Sequence, residues 1–278
     1  MLTVLSVEKR EPKGRFSAIL KRLPLNSLKV TQRTQQGITV DYLEYTSRNG
    51  RIDWNRICKA AKEGRVNLVY SGGEEIPQDC GIVPFVPWAL RQRLCGNMVL
   101  EVLELMKEMP QKLRIGLYDP WGDFCDLAEH ILRFTSDFVV VTKNVGLYTE
   151  QAGRLLSETG AVLCVSRNLC TLSDCGLIVS PDRIDEKFTP MTKAVLLTSR
   201  KPCVPLSCRV YCRYSFRLPV ELEKLRPEGT DAEFFGGALY SLCSVYSLGS
   251  LVPFVCMSET DTQTTLSLRK YLRDCFST

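Results

Sequence analysis

The segment KLRIGLYDPWGDFCDLAEHIL, residues 112–132, places a tight turn between an apolar strand and a helix. Turns of this kind often hold the phosphate of a nucleotide, because the helix offers unpaired backbone N–H groups and the positive end of its dipole. The chemistry of this turn depends on the residues that fill it, which are Asp119, Pro120, Trp121, Gly122, Asp123 and Phe124.

Three residues of this turn oppose phosphate binding. Pro120 has no N–H to donate, and Asp119 and Asp123 bring negative charge to the site. Either carboxylate can accept hydrogen bonds from the first N–H groups of the helix. We therefore predict that Asp119 or Asp123 caps the helix from within the chain.

Polar residues follow the neighbouring predicted strands. Thr142 and Lys143 follow the second strand, Arg167 the third and Ser180 the fourth. Because the carboxyl ends of parallel strands meet at one edge of a sheet, these side chains are expected to share a crevice with the turn. The predicted ligand-binding residues are Asp119, Trp121, Gly122, Thr142, Lys143, Arg167 and Ser180, and the predicted ligand is an anionic small molecule or a nucleotide.

The elements that position this crevice alternate between strand and helix, which predicts an α/β fold with a doubly wound parallel sheet. The predicted strands are 113–118, 137–142, 161–166, 176–180 and 194–199, and the predicted helices are 123–134 and 149–159. A mixed α/β domain is expected over residues 1–110 and the parallel-sheet domain over 111–202. Residues 203–278 are expected to pack back on both.

The flanking regions contain clear local patterns. Gln36-Gly37 predicts a hairpin, Asp53 a helix cap, and the stripe from Trp88 to Met109 a long amphipathic helix ending at Pro110. The run 208–218 alternates strictly and predicts an antiparallel or edge strand with one solvated face. Thr230 and Glu233 form a predicted capping box, and a last helix is expected over 264–276.

The succession LRIGLYD, DFVVVTKN, AVLCVSR, DCGLIVSP and AVLLTS resembles the Rossmann NAD(P)-binding domain of the shikimate dehydrogenase and glutamyl-tRNA reductase type. This resemblance covers about residues 113–201 and implies a dinucleotide at the carboxyl ends of the strands. It also implies that Thr142, Lys143 and Asn144 receive the 2′-phosphate of NADP. The chain departs from the family at the glycine motif, where only Gly122 stands in place of three glycines.

Other residues suited to chemistry have simpler explanations. His130 is the only histidine and is predicted to lie at the surface. Ser71-Gly72-Gly73 is similar to the phosphate loop of ATP pyrophosphatases, but two glutamates follow it, which predicts an ordinary turn. Arg209, Arg213 and Arg217 form a stripe that suits a solvated strand face or an acidic partner.

Composition excludes several classes of protein. The net charge of +5 over 278 residues comes without a dense basic block, so nucleic-acid binding is not predicted. The chain lacks a secretory signal pattern and an apolar stretch of membrane-spanning length, which predicts a cytoplasmic protein. The 13 cysteines form no CxxC pair, so neither a metal site nor a disulfide framework is expected.

Three hypotheses of function remain at this point. The first is a degenerate, non-catalytic member of the dinucleotide fold that binds a ligand or a partner. The second is an NAD(P)-dependent oxidoreductase with an atypical turn, in which Lys143 holds the 2′-phosphate. The third is a homo-oligomer or obligate complex, because the apolar segment 234–257 exceeds what one core can cover.

Overall fold

The computed structural model describes residues 2–9, 26–47, 50–243 and 251–277. In chain order its strands are β1 (Leu2–Lys9), β2 (Ser27–Gln35), β3 (Ile38–Ser47), β4 (Val66–Leu68), β5 (Val83–Pro84), β6 (Ile115–Tyr118), β7 (Phe138–Val141), β8 (Cys164–Ser166), β9 (Leu177–Ser180), β10 (Val195–Thr198), β11 (Arg209–Tyr211), β12 (Arg213–Phe216), β13 (Pro253–Met257) and β14 (Thr262–Thr264). Its α-helices are α1 (Trp54–Ala61), α2 (Trp88–Glu104), α3 (Cys125–Leu132), α4 (Val145–Thr159), α5 (Val220–Glu223), α6 (Ala232–Cys243) and α7 (Thr265–Phe276).

The chain forms two compact units. Unit 1 comprises Met1–Leu90 and Leu218–Ser247, and unit 2 comprises Arg91–Arg217 and Leu248–Thr278. The boundaries of these units do not coincide with the predicted domain boundaries at residues 110 and 202. Most of α2 belongs to unit 2, and the chain returns to unit 1 at Leu218. The division into three domains stays a prediction.

Unit 1 is built on a mixed sheet. Strand β3 pairs in parallel with β1 and in antiparallel with β2, which confirms the predicted hairpin. Gln36 and Gly37 make its two-residue turn with positive φ of 51° and 77°. A parallel bridge between Val4 and Val69 joins β1 to the β4 segment, and β4 pairs in parallel with β5.

Unit 2 contains a six-stranded parallel sheet in the order β11-β10-β9-β6-β7-β8. Counted from β6 along the chain, this is the order 6-5-4-1-2-3, which is the strand order of the Rossmann fold. Every residue of β6, β7, β9 and β10 is buried, as a sheet covered on both faces requires. The fold is therefore the predicted Rossmann-like α/β fold, with its topological switch point between β6 and β9.

The alternating run after this sheet differs from the prediction of one strand. It contains two strands, β11 at the edge of the parallel sheet and β12 in an antiparallel sheet with β13 and β14. The strands separate at Cys212, and Tyr211, predicted to face solvent, is only 1% exposed. The change of sheet explains the difference, because a period of two holds only while the chain stays in one sheet.

Several helix ends also differ from the predicted ones. Helix α2 ends at Glu104 rather than at Met109, and α4 begins at Val145 rather than at Thr149. At α6 the carboxylate of Asp231 accepts from the N–H of Glu233 at 2.7 Å, so Asp231 rather than Thr230 caps that helix. Part of the apolar segment 234–257, residues 244–250, lies outside the described residues.

None of the helices in the described part of the chain combines the length and the apolar character that a membrane crossing requires.

Candidate functional site

The predicted site residues lie along the carboxyl edge of the parallel sheet in unit 2. Asp119 directly follows β6, Thr142 and Lys143 follow β7, Arg167 follows β8, and Ser180 is the last residue of β9. The Rossmann topology brings these positions to one edge because all the strands run in the same direction. That they bind a ligand stays a prediction.

The carboxylate of Asp119 is the centre of the turn. Its Oδ1 accepts hydrogen bonds from the N–H groups of Gly122 at 2.9 Å and Asp123 at 3.1 Å. Its Oδ2 accepts from the N–H of Phe124 at 2.8 Å and from the hydroxyl of Tyr148 at 2.6 Å. Asp119 is fully buried, so all four bonds lie away from water.

The predicted cap differs from what the structure shows: Phe124 is the N-cap residue of α3 and no side chain caps that helix, whereas the Asp119 carboxylate binds the N–H groups of the turn before it. These three N–H groups belong to the turn between β6 and α3, which is the segment that approaches the pyrophosphate in a dinucleotide-binding domain. They are bonded to a carboxylate of the chain itself, and Pro120 has no N–H to add. The residues of this turn therefore do not fit the pyrophosphate of a dinucleotide.

The turn is fixed to the loop that follows β7. The N–H of Lys143 donates to the carbonyl oxygen of Pro120, and Nδ2 of Asn144 donates to that of Trp121, both at 3.1 Å. Gly122 has φ of +87°, and a Cβ added there would lie 2.6 Å from Leu147. Both the backbone conformation and this close approach require glycine, so the fold explains the glycine at position 122 without a ligand.

The side chains predicted to bind an anion differ in their exposure to solvent. Lys143 Nζ lies 3.5 Å from Glu186 Oε1 and 5.9 Å from the ring centroid of Trp121, which is 62% exposed. Arg167 is exposed. Thr142 and Ser180 are buried, and their hydroxyls bond to the backbone of Asn144 and Asp182. Of the charged side chains predicted to bind the anion, both Lys143 and Arg167 are therefore open to solvent.

Asp182, two residues beyond β9, is a polar group of this crevice that the sequence did not indicate. Its Oδ1 accepts from Nε2 of Gln92 at 2.8 Å, whereas its Oδ2 is buried without a hydrogen-bond partner. Burial raises the pKa of this carboxyl above its usual range, and the charges of Asp119 and Asp123 raise the pKa further. Its partner is 90 residues away in the sequence, so no local pattern could have found it.

Several carboxylates lie in the part of the crevice beside β6 and β9. Burial raises the pKa of Tyr118, and the carboxylates of Glu186, Asp182 and Asp185 raise it further. An acidic environment opposes a second anion, so the charge of the crevice agrees with the closed turn. A ligand with hydrogen-bond donors or a positive charge suits this end of the sheet better than a diphosphate does.

The other residues singled out in the sequence lie apart from this crevice or serve the fold. His130 is half-buried on α3. In unit 1 the hydroxyl of Ser71 accepts from the N–H of Asp231 at 3.0 Å. Arg209, Arg213 and Arg217 are exposed, as predicted for a solvated face.

Unit 1 has a cavity of its own, of about 590 Å³. It is lined by the carboxyl halves of β1 and β3, by the turn that follows the β4 segment, and by residues 225–230. Its polar groups are largely satisfied within the unit: the hydroxyl of Tyr42 donates to the carbonyl of Leu225 at 2.7 Å, and that of Tyr70 donates to Glu74. The cavity has the volume of a small-molecule site, which typically falls in the range of about 300–1,000 Å³.

Among the described residues, no three histidine, cysteine or acidic side chains converge as metal ligands. All 13 cysteines are described, and each carries a free thiol.

Comparison with known protein families does not identify a family for this chain. No protein-family model matches the chain, and no curated protein matches it significantly. Among solved structures, the L-tryptophan dehydrogenase from Nostoc punctiforme is similar at 8% identity and a TM-score of 0.29, over 99% of this chain and 80% of that one.

Proposed function

We propose that the protein is a degenerate member of the Rossmann-like group, a non-catalytic module that binds a ligand or a partner without holding a dinucleotide at the usual turn. The observation that supports this proposal is the position of the Asp119 carboxylate. It accepts from three backbone N–H groups and one tyrosine hydroxyl. A pyrophosphate would have to displace a buried, fully bonded carboxylate of its own sign.

The energetic argument favours the internal carboxylate. Hydrogen bonds to a charged acceptor contribute about 1.5–3 kcal/mol each, and a buried donor left without an acceptor costs about 1–3 kcal/mol. An incoming phosphate would replace these bonds at best one for one, while the charge of Asp119 stayed buried beside it. Binding at this turn would therefore be unfavourable relative to the closed state.

Calorimetric titration of the full chain with NADPH, NADH and ATP tests this proposal. We expect no saturable binding tighter than about 1 mM for any of the three nucleotides. A micromolar affinity for NADPH that disappears in Lys143→Ala would overturn the proposal. Lys270→Ala is the matched control, because Lys270 is an exposed lysine on α7.

A second candidate, the NADP-dependent oxidoreductase, is favoured by one observation. Lys143 Nζ stands beside the exposed ring of Trp121 at the end of the second strand of the sheet. A cation and an aromatic surface at this position suit the 2′-phosphate and the adenine of NADP. In this case NADPH would bind more tightly than NADH, and Trp121→Ala would weaken NADPH as Lys143→Ala does.

The two candidates differ in the nucleotide preference that they predict. Loss of NADPH binding in Lys143→Ala together with unchanged NADH binding would favour the oxidoreductase. Equal, weak responses to all three nucleotides in the wild type and in both variants would favour the non-catalytic module.

A further inference from the structure

Unit 2 has a groove, which we call the basic groove, at the opposite end of the sheet from the crevice. It has a volume of about 670 Å³ and is formed by residues 105–111, by Arg269 and Arg273 of α7, and by Ser277 directly after that helix. Residues 105–111 lead from the end of α2 into β6, so the groove lies beside the amino end of the first strand. It shares no lining residue with the carboxyl edge described above.

The groove has a fixed shape because the chain is bonded at both of its sides. Arg269 Nη1 donates to the carbonyl of Leu105 at 3.2 Å, and the N–H of Lys112 donates to the carbonyl of Phe276 at 3.1 Å. These bonds connect the segment after α2 to α7 at two points. A groove held in this way requires little reorganisation to receive a ligand.

The charge of the groove is positive. Among the described residues, its lining contains the cations Lys107, Arg269 and Arg273 and a single carboxylate, Glu108, which gives a formal charge of +2. Within the described residues none of the three cations forms an ion pair. Arg269 and Arg273 are four positions apart on α7, so their side chains share one face of the helix.

One of these cations also has an unused donor. Nε of Arg269 is buried and has no hydrogen-bond partner among the described residues. A buried donor without an acceptor is unfavourable, so the guanidinium of Arg269 is not fully bonded within the chain. Guanidinium groups are suited to phosphate and carboxylate oxygens because they offer donors in a planar fork.

The cations of the basic groove lie near the C-terminal ends of two helices. Leu105 lies just beyond the C-terminus of α2, and Arg273 lies in the last turn of α7. The negative end of each helix dipole attracts positive side chains. The dipoles therefore help to hold these cations in place.

We propose that the basic groove binds a small polyanion through Arg269, Arg273 and Lys107, with the oxygens of a phosphate or of two or more carboxylates as the recognised groups. This site is independent of the proposed function of the crevice. A phosphate and a polycarboxylate present the same oxyanion chemistry, and the experiment separates them by their affinities.

Calorimetric titration of the full chain at low salt with inorganic phosphate, pyrophosphate and citrate tests the proposal. We expect at least one of them to bind with a Kd below about 1 mM. Arg273→Gln is expected to weaken binding about tenfold, and Lys107→Gln to weaken it in the same direction. Both side chains are exposed, so the variants should fold, which circular dichroism can check.

Two controls make the result specific. Lys270→Gln removes one positive charge from the exposed surface of the same helix without touching the groove, and should leave the affinity unchanged. Lys143→Ala at the crevice should also leave it unchanged. Absence of binding by all three anions, or an equal loss of affinity in Lys270→Gln, would overturn the proposal.

Discussion

The hydroxyl of Tyr148 on α4 donates a 2.6 Å hydrogen bond to Oδ2 of Asp119 at the end of β6, and both side chains are fully buried. Burial and the neighbouring carboxylate raise the pKa of Tyr148 far above its ordinary value. The tyrosine therefore keeps its proton at neutral pH and donates it to Asp119. The pair connects the second crossover helix to the turn of the first.

Tyr148→Phe should destabilise the protein by about 1.5–3 kcal/mol, because it removes a buried hydrogen bond to a charged acceptor. The free energy of unfolding in urea measures this change. Tyr271→Phe is the control, since its hydroxyl donates to a neutral carbonyl, that of Lys193, at 3.0 Å. An equal effect in the two variants would contradict the central role of Asp119.

Asp119→Ala should destabilise the protein by about 3 kcal/mol or more, since three backbone donors would lose their acceptor together. Hydrogen exchange gives a local measurement of the same change. The amides of Gly122, Asp123 and Phe124 should exchange faster in the variant, while amides in β10 should stay protected. Unchanged protection at these three amides would show that the Asp119 carboxylate does not hold the turn.

Gly122→Ala should destabilise unit 2 by about 1–3 kcal/mol, because alanine would adopt φ of +87° and its Cβ would meet Leu147. Gly160→Ala is the matched control. It has φ of +73° with no atom within 4 Å of the added Cβ, so it reports the backbone strain alone. Thermal or urea unfolding of the two variants separates strain from contact, and the prediction fails if Gly122→Ala costs less than Gly160→Ala.

Asp182→Asn should make the protein more stable than the wild type at pH 7. The folded pKa of Asp182 is raised above its unfolded value near 3.8, so its favourable contribution is complete below that pH and is lost as pH rises through the folded pKa. The advantage of the asparagine should therefore shrink as the pH falls toward 4. Asp174→Asn, at an exposed position, should show no such trend in unfolding experiments between pH 4 and 8.

The thiols should react with iodoacetamide in an order set by burial. Cys164 and Cys170 are exposed and should be alkylated first at pH 7.5. Cys203 is also exposed, but its hydrogen bond to a neighbouring carboxylate raises its pKa, so it should follow more slowly. Burial raises the pKa of Cys95 and Cys175 to about 12, and these two should react only in denaturant. Peptide mass spectrometry of a time course checks the order, and early labelling of Cys95 would contradict the packing of α2.

The parts of the fold that depend on local patterns were predictable. That a carboxylate of the turn would bond nearby N–H groups could be inferred, because Asp119 and the three donors are within five residues of each other, although these donors precede the helix and do not belong to it. The hairpin at Gln36-Gly37 and the alternation of strand and helix in unit 2 have the same local origin. Periodicity and turn chemistry are short-range signals, so they survive in a single sequence.

The rest depends on contacts between distant residues. Asp182 acquires its buried environment and its bond to Gln92 only when α2 packs beside β9. Tyr211 is buried because the chain changes sheets at the next residue, while its hydroxyl donates to Asp261 from 50 positions away at 2.6 Å. Likewise, no local pattern in the sequence indicates that the chain returns to unit 1 at Leu218.

The two sheets of unit 2 are connected through Cys212, the single residue between β11 and β12. Strand β11 is aligned on β10, and β12 is aligned on β13, so one short segment carries the alignment of both sheets. An inserted or deleted residue there would turn every later side chain of that segment to the opposite face. The registers of the two sheets are thus coupled. A shift of β11 along β10 would also shift β12 along β13.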